Sequence, residues 1–258
     1  MNQYLPAIIH GILFKQIWIM LSYKANLFAN ILTLYVIFAL IFVGGTTMGG
    51  ELFEGNLKTV IVGYFLWVMA TAAFSDITRE ITREAQWGTL EQLYMTTHQF
   101  ETVLFIKSMI NLVIAFVIGF VLLVAMMVTT TTFLPIDVVT IVPVAGLGLL
   151  SIVGLGFILS GLAIVYKRVE NTFQLINFGL IVLIAAPSNV YPFLKLLPIV
   201  QSSSLLQRSM RDGVRLWEYS YTDLTILALV AIGYLSCGLF IFRQCQRYAR
   251  KQGSLGHY

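Results

Sequence analysis

An all-α integral membrane fold is what this sequence predicts, and three observations carry it. Of 258 residues, 58% are hydrophobic and only 11% charged, where a soluble domain would carry about a quarter charged. Apolar blocks of about 20 residues, long enough to cross a hydrocarbon core as helix, recur along the chain. Lys and Arg gather in alternate gaps between those blocks. With no internal repeat and no polar domain attached, residues 1–258 are expected to form one membrane domain.

The elements follow in order. In residues 1–26, Leu5, Ile8, Ile9, Ile12, Leu13 and Ile17 alternate with His10, Lys15, Gln16 and Lys24. That mixture is too polar to span and predicts an amphipathic helix lying in the interface. The segment lacks a basic leader and a small-residue cleavage site, so insertion is expected to rely on the first span. Five blocks then qualify as spans: 27–46, 57–75, 104–128, 138–166 and 223–242. A sixth, 172–190, begins "TFQLINFGLIVLIAA" and runs to Pro187. Six spans put both termini on one side. Placing that side in the cytoplasm leaves eleven of the 16 Lys and Arg inside and five outside. The positive-inside rule therefore predicts an N-in, C-in protein of the cytoplasmic membrane.

The segment before the last span is unusual. "APSNVYPFLKLLPIVQSSSLLQRSMRDGVRLW" carries Pro187, Pro192 and Pro198, which break helices. Its stretches "VYPFLKLLPIV" and "SLLQ" are nevertheless too apolar for a solvated loop. A re-entrant outer segment, capping or lining a cavity, reconciles the two, because irregular backbone at membrane depth is tolerated only against protein or water.

Several chemistries are missing from the sequence. The three histidines are scattered, and Cys237 and Cys245 have no metal-ligand spacing and read as free thiols. No Gly precedes any Lys, so no Walker-type phosphate loop exists. No ionisable residue lies in the middle third of any predicted span, where a proton- or ion-coupled carrier usually holds one. Uphill transport by this chain would need energy from outside it.

The cytoplasmic loop 79–100 contains "REAQWGTLEQL". Thr89 and Gln92 form a capping-box pair, and Gly88 before them permits a sharp change of direction. Leu90, Leu93 and Tyr94 make an apolar side. Upstream, Ile77, Ile81 and Ala85 repeat every four residues among Arg79, Glu80, Arg83 and Glu84. The second spanning helix is thus expected to run past the membrane, stop at Gly88 and turn into a stub presenting Glu91 and Gln92. A solvated interfacial helix anchored by Trp87 and Tyr94 is the plainer alternative.

The run "REAQWGTLEQLYMTT", followed by Lys107 at the start of an apolar helix, resembles the signature of ABC-2-type transporter permeases. Glu84 matches the first acid of the family's charged triplet, while Ala85 and Gln86 replace its other members. Gly88, Thr89, Leu90, Glu91, Gln92 and Leu93 match throughout, and Thr97 stands where proline is common. The likeness extends to the six-helix layout, the short loop "YKRVEN" and the proline-broken outer segment. It implies a coupling helix, with Arg83, Glu84 and Gly88 to Leu93 meeting a separate ATPase subunit. ATP and Mg would be bound there, leaving this chain a non-enzymatic permease subunit with no metal or cofactor of its own. Two permease subunits, identical or paralogous, would share one pathway among membrane lipid, and nucleic acid is not an expected partner.

Candidate pathway or dimer-seam residues are Asn171, Gln174 and Asn177, spaced by three and so near one helical face, with Tyr35 and Trp67 from the aromatic stripes that include Phe38, Phe42 and Tyr64. Interhelical hydrogen bonding and simple packing are the alternatives for these residues. Gly154, Gly156, Ser160 and Gly161 are expected to allow close helix approach. The stretch "LSYKANLFANILTLYV" lacks the motifs of polysaccharide exporters and looks more like drug- and lipid-exporting members. The resemblance therefore implies export of a hydrophobic or amphipathic substrate. A polysaccharide or glycolipid exporter, or a channel or carrier outside this family, remains the alternative.

Overall fold

The computed structural model describes residues 5–86, 100–166, 170–188 and 190–251, and among these it contains helices and no strand. Helix α1 (Leu5–Ser22) passes through Tyr23 into α2 (Lys24–Gln86) with little break: the Tyr23 N–H donates to Ile19 O at 3.0 Å and the Leu27 N–H to Tyr23 O at 3.1 Å. α3 (Phe100–Thr130), α4 (Val138–Tyr166) and α5 (Glu170–Ile184) follow. A 3-10 turn (Pro192–Leu196), α6 (Val200–Asp212), a second 3-10 turn (Leu216–Glu218) and α7 (Tyr221–Lys251) complete the chain.

α2 is a helical hairpin. At Gly50 the backbone adopts φ 50° and ψ −135°, a conformation that only glycine reaches without a Cβ clash, and the chain folds back on itself. The Tyr64 hydroxyl donates to Leu34 O at 2.5 Å, and the Phe38 and Tyr64 rings lie 5.5 Å apart. In a straight helix residues 34 and 64 would be separated by about 45 Å. The first arm, 24–49, lies at the edge of the bundle, with Phe28, Leu40 and Met48 exposed and Phe38 its buried anchor. The second arm, 51–86, runs through the centre, where Ile61, Leu66, Met69 and Phe74 are fully enclosed.

Among the described residues, five helical stretches are long and apolar enough to cross a membrane: Lys24–Phe53, Gly55–Arg79, Glu101–Thr130, Val138–Val165 and Tyr221–Ala249. The chain is a helical multi-pass membrane protein. The expected end of the sixth apolar helix, at residue 190, is corrected by the structure: α5 ends at Ile184. Pro187 has no N–H to continue the ladder and its ring crowds the preceding turn. The helix tightens before it, with the Ala186 N–H donating to Leu183 O. Fifteen residues of helix cover about 22 Å, less than the roughly 30 Å of a hydrocarbon core.

The expectation of an amphipathic N-terminal helix also needs correction. Ile17 and Ile19 point to nearly opposite sides of α1, being two residues apart on a helix, and both are exposed, as are Phe14, Trp18 and Leu21. α1 is apolar around much of its circumference, because Lys15 and His10 are too few to build a polar face.

Helix directions follow from the contacts. α5 runs antiparallel to the second arm of α2, with Gly63 opposite Ile184 and Phe74 opposite Phe173. α4 and α7 run parallel: Gly154 meets Tyr234 and Gly238, and Gly161 meets Phe242 and Cys245. The two backbones touch at Gly154 and Gly238, where a Cβ on either would land on the backbone of the other helix. Close approach through small residues is how helices gain packing when the solvent is lipid, and it matches the expectation for Gly154 and Gly161. Gly156 similarly admits Ile77 of α2, whose Cδ1 would sit 3.2 Å from an added Cβ.

The bundle consequently has two distinct ends. One holds the Gly50 turn, residues 131–137 and the 185–220 segment; the other holds Gln86, Phe100, Tyr166 and Lys251. Substituting Gly238→Ala should lower the thermal unfolding midpoint in detergent, at a cost of about 2 kcal/mol from overpacking. Gly146→Ala, where an added methyl meets nothing within 4 Å, should be neutral or stabilising by about 0.5–1 kcal/mol.

Candidate functional site

The expected stub, Gly88, Thr89, Leu90, Glu91, Gln92 and Leu93, lies outside the described residues. Helix α2 passes through Arg83 and Glu84 and continues to Gln86, some seven residues beyond the apolar stretch that ends at Arg79. Ile77 and Ile81 are enclosed, as is Leu104 on α3. The Thr78 hydroxyl donates to Phe74 O at 3.1 Å, and the Phe74 ring meets Phe173 edge-on at 6.3 Å. Glu101, in the first turn of α3, forms an ion pair with Arg243 of α7. A carboxylate there also suits the positive end of the α3 dipole. The Glu101–Arg243 pair thus ties α3 to α7, and the Phe74–Phe173 contact ties α2 to α5.

The candidate pathway residues divide. Tyr35 is half-buried against the core, and the Trp67 ring lies tilted against Tyr64 with centroids 5.4 Å apart. Asn171 belongs to α5, but its side chain is outside the described set. Gln174 is exposed. Asn177 is partly buried, and its Oδ1 reaches no hydrogen-bond donor; the Trp67 Nε1 is likewise buried without an acceptor. The α2–α5 register puts Asn177 opposite residue 70, about one turn from Trp67. Leaving such groups unpaired costs about 1–3 kcal/mol each, which interhelical hydrogen bonding would have avoided. Next to them, Leu175, Phe178 and Val182 present an exposed apolar face.

The opposite end of the bundle carries a network that sequence reasoning missed. α6 is amphipathic, and its uncharged polar residues are buried along with its apolar ones: Gln201, Ser202, Ser203 and Ser209 are all enclosed, whereas Arg208 and Arg211 are exposed. The Ser202 hydroxyl donates to Val144 O at 2.8 Å and that of Ser203 to Ile184 O at 2.7 Å, tying α6 to α4 and α5. Ile199, just before α6, sits at φ 65°, a real strain for a β-branched residue. Its side chain is buried and its N–H donates to Ser151 Oγ at 3.0 Å. Asp223, in the first turn of α7, accepts from Lys195 Nζ and Gln201 Nε2, both at 3.0 Å, with Arg208 3.8 Å away. The Tyr219 hydroxyl donates to Leu205 O at 2.8 Å, and burial pushes its phenol up to about 12, so it remains a donor throughout the physiological range. The one sequence signal was "QSSS": three hydroxyls in a row between apolar stretches.

Among the described residues no group of His, Cys, Asp or Glu side chains is placed to hold a metal ion. No protein-family model matches this chain, and no curated protein is significantly similar to it.

Ser151→Ala should destabilise the protein by about 1–3 kcal/mol, because the buried Ile199 N–H loses its acceptor. Ser160→Ala should be neutral or stabilising, since that buried hydroxyl has no partner to lose. Reversible unfolding in mixed micelles checks both, and hydrogen exchange should localise the first effect to 199–205.

Proposed function

We propose that this protein is the membrane-spanning subunit of an ATP-driven exporter of the ABC-2 type, moving a hydrophobic or amphipathic molecule across the cytoplasmic membrane. The observation that carries the reading is the placement of "REAQWGTLEQL". It joins a helix that continues beyond its apolar span to another that restarts at Phe100. Gly88 makes the turn, Thr89 and Gln92 cap the stub, and Leu90, Glu91 and Leu93 meet a separate ATPase subunit, with Arg83 and Glu84 at its edge. ATP and Mg bind to that partner.

The membrane part is a six-pass bundle, N-in and C-in. α5, although short, runs against the second arm of α2 and returns the chain to the Gly50 end, which supports six crossings. The 185–220 segment then enters the outer leaflet and leaves again as a re-entrant element. Exposed aromatics support these depths: Tyr191, Phe193 and Trp217 mark one end, and Trp18, Tyr23 and Tyr248 the other, as expected of aromatics at membrane interfaces. Two such subunits pack together, the apolar face of α5 and the first arm of α2 forming the seam. Trp67, Asn177 and neighbouring Tyr35, Gln174 and Asn171 border the route, where Asn177 Oδ1 and Trp67 Nε1 find partners in substrate, water or the second subunit.

Glu91→Arg and Leu90→Asp are each expected to weaken association with the cognate ATPase subunit at least about tenfold, equivalent to ~1.4 kcal/mol, and to remove stimulation of hydrolysis. Co-purification and ATPase assays in nanodiscs measure both effects. Unchanged binding and stimulation in the two variants would overturn the coupling role, and substrate flux by the isolated chain without an ATPase would favour a self-contained channel.

A further inference from the structure

Independently of the ATPase partner, the Gly50 end of the bundle contains a cavity of about 400 Å³ between the second arm of α2, the end of α5 and α6. Its wall is unusual for a membrane protein interior. Arg208 and Arg211, three residues apart on α6 and so on adjacent turns of one face, both line it, as do Ser188 and Ser204. Asp212 is also on the wall, leaving two guanidinium groups against one carboxylate. Arg208 is drawn partly towards Asp223, at 3.8 Å, whereas Arg211 is solvent-exposed. The Thr59 hydroxyl from α2 completes the lining, and it is buried with no hydrogen-bond partner.

We propose that this cavity binds a phosphate-bearing anionic group, carried on a lipid head group or as free phosphate. The chemistry converges on that class. Guanidinium groups offer planar, paired N–H donors matched to phosphate oxygens. The Ser188, Ser204 and Thr59 hydroxyls add neutral donors that an anion rich in acceptor oxygens can use together. A neutral sugar would leave the excess positive charge of the wall, carried by Arg211, unneutralised. A bare carboxylate would engage fewer donors than the wall presents. The volume accommodates a head group rather than a whole lipid, whose chains would remain against the exposed apolar surface beside Val190 and Phe193.

The test uses the full chain in nanodiscs of phosphatidylcholine, with and without phosphatidylglycerol, and separately with inorganic phosphate in the buffer at constant ionic strength. Wild-type protein should gain at least about 3 °C in unfolding midpoint from one of the two additions, the shift expected of a ligand well above its dissociation constant. Arg211→Gln and Thr59→Val should each lose most of that gain. Lys58→Gln, which removes an exposed cation near the same end but outside the cavity, should keep it. A gain from phosphatidylglycerol alone identifies a lipid head group; a gain from inorganic phosphate identifies the free anion. Absence of any gain, or an equal gain in wild type and both cavity variants, overturns the proposal.

Discussion

Main-chain polar groups that leave water must find partners within the protein, and the 185–220 segment is where this chain has most difficulty doing so. Three prolines interrupt its hydrogen-bond ladder, yet α6 is among the most enclosed elements of the molecule. The solution is a set of side-chain oxygens supplied by the surrounding helices and by α6 itself. Ser151 accepts the Ile199 N–H, Ser202 and Ser203 donate to carbonyls of α4 and α5, and Thr140 Oγ1 accepts the Leu216 N–H at 2.8 Å. Thr140 is in turn oriented by Asp137 Oδ2 at 2.6 Å. Breaking these contacts would expose unsatisfied backbone in low-dielectric surroundings, where each such group costs most. The left-handed Ile199 persists because its neighbours over-determine it.

The rest of the architecture supplies the scaffold against which α6 is fixed. α4 contributes Val144, Gly148 and Ser151 to that contact, and Gly148 leaves room for Ser202. The same helix presses Gly154 and Gly161 against α7. One helix therefore satisfies two unlike neighbours: a polar short helix near its N-terminal end and an apolar long one along its centre. This dual duty explains why α4 is so rich in small residues.

Much of the fold was legible in the sequence because length and apolarity decide membrane helices almost alone. The five long helices fall where the apolar blocks predicted. Boundaries were less legible. Pro187 announced the end of α5, but the tightening of the last turn, which ends the helix at Ile184, depends on local geometry. The reversal at Gly50 was hidden among Gly44, Gly45 and Gly49, any of which could have served. α6 was misleading for a different reason. The run "QSSS" does not reveal which distant carbonyls its hydroxyls meet, and those belong to residues 144 and 184. The pairing of Asp223 with Lys195 is equally non-local. The stretch "GTLEQL" stood out through its resemblance to known permeases and its capping chemistry, while the polar cavity had no contiguous sequence signal, since Thr59 lies far along the chain from Arg211.

The parallel contact between α4 and α7 has a mechanical corollary. Two rods whose backbones touch at Gly154 and Gly238 resist rotation about their own axes and tilt as one beam. That beam is fastened at opposite extremities, to Glu101 through Arg243 and to Lys195 and Gln201 through Asp223. Torque applied at Glu101 need not diffuse through side-chain rearrangements to reach α6; it arrives as the swing of a stiff lever roughly 30 Å long between Arg243 and Asp223, whose far tip contacts the wall of the polar chamber through Arg208.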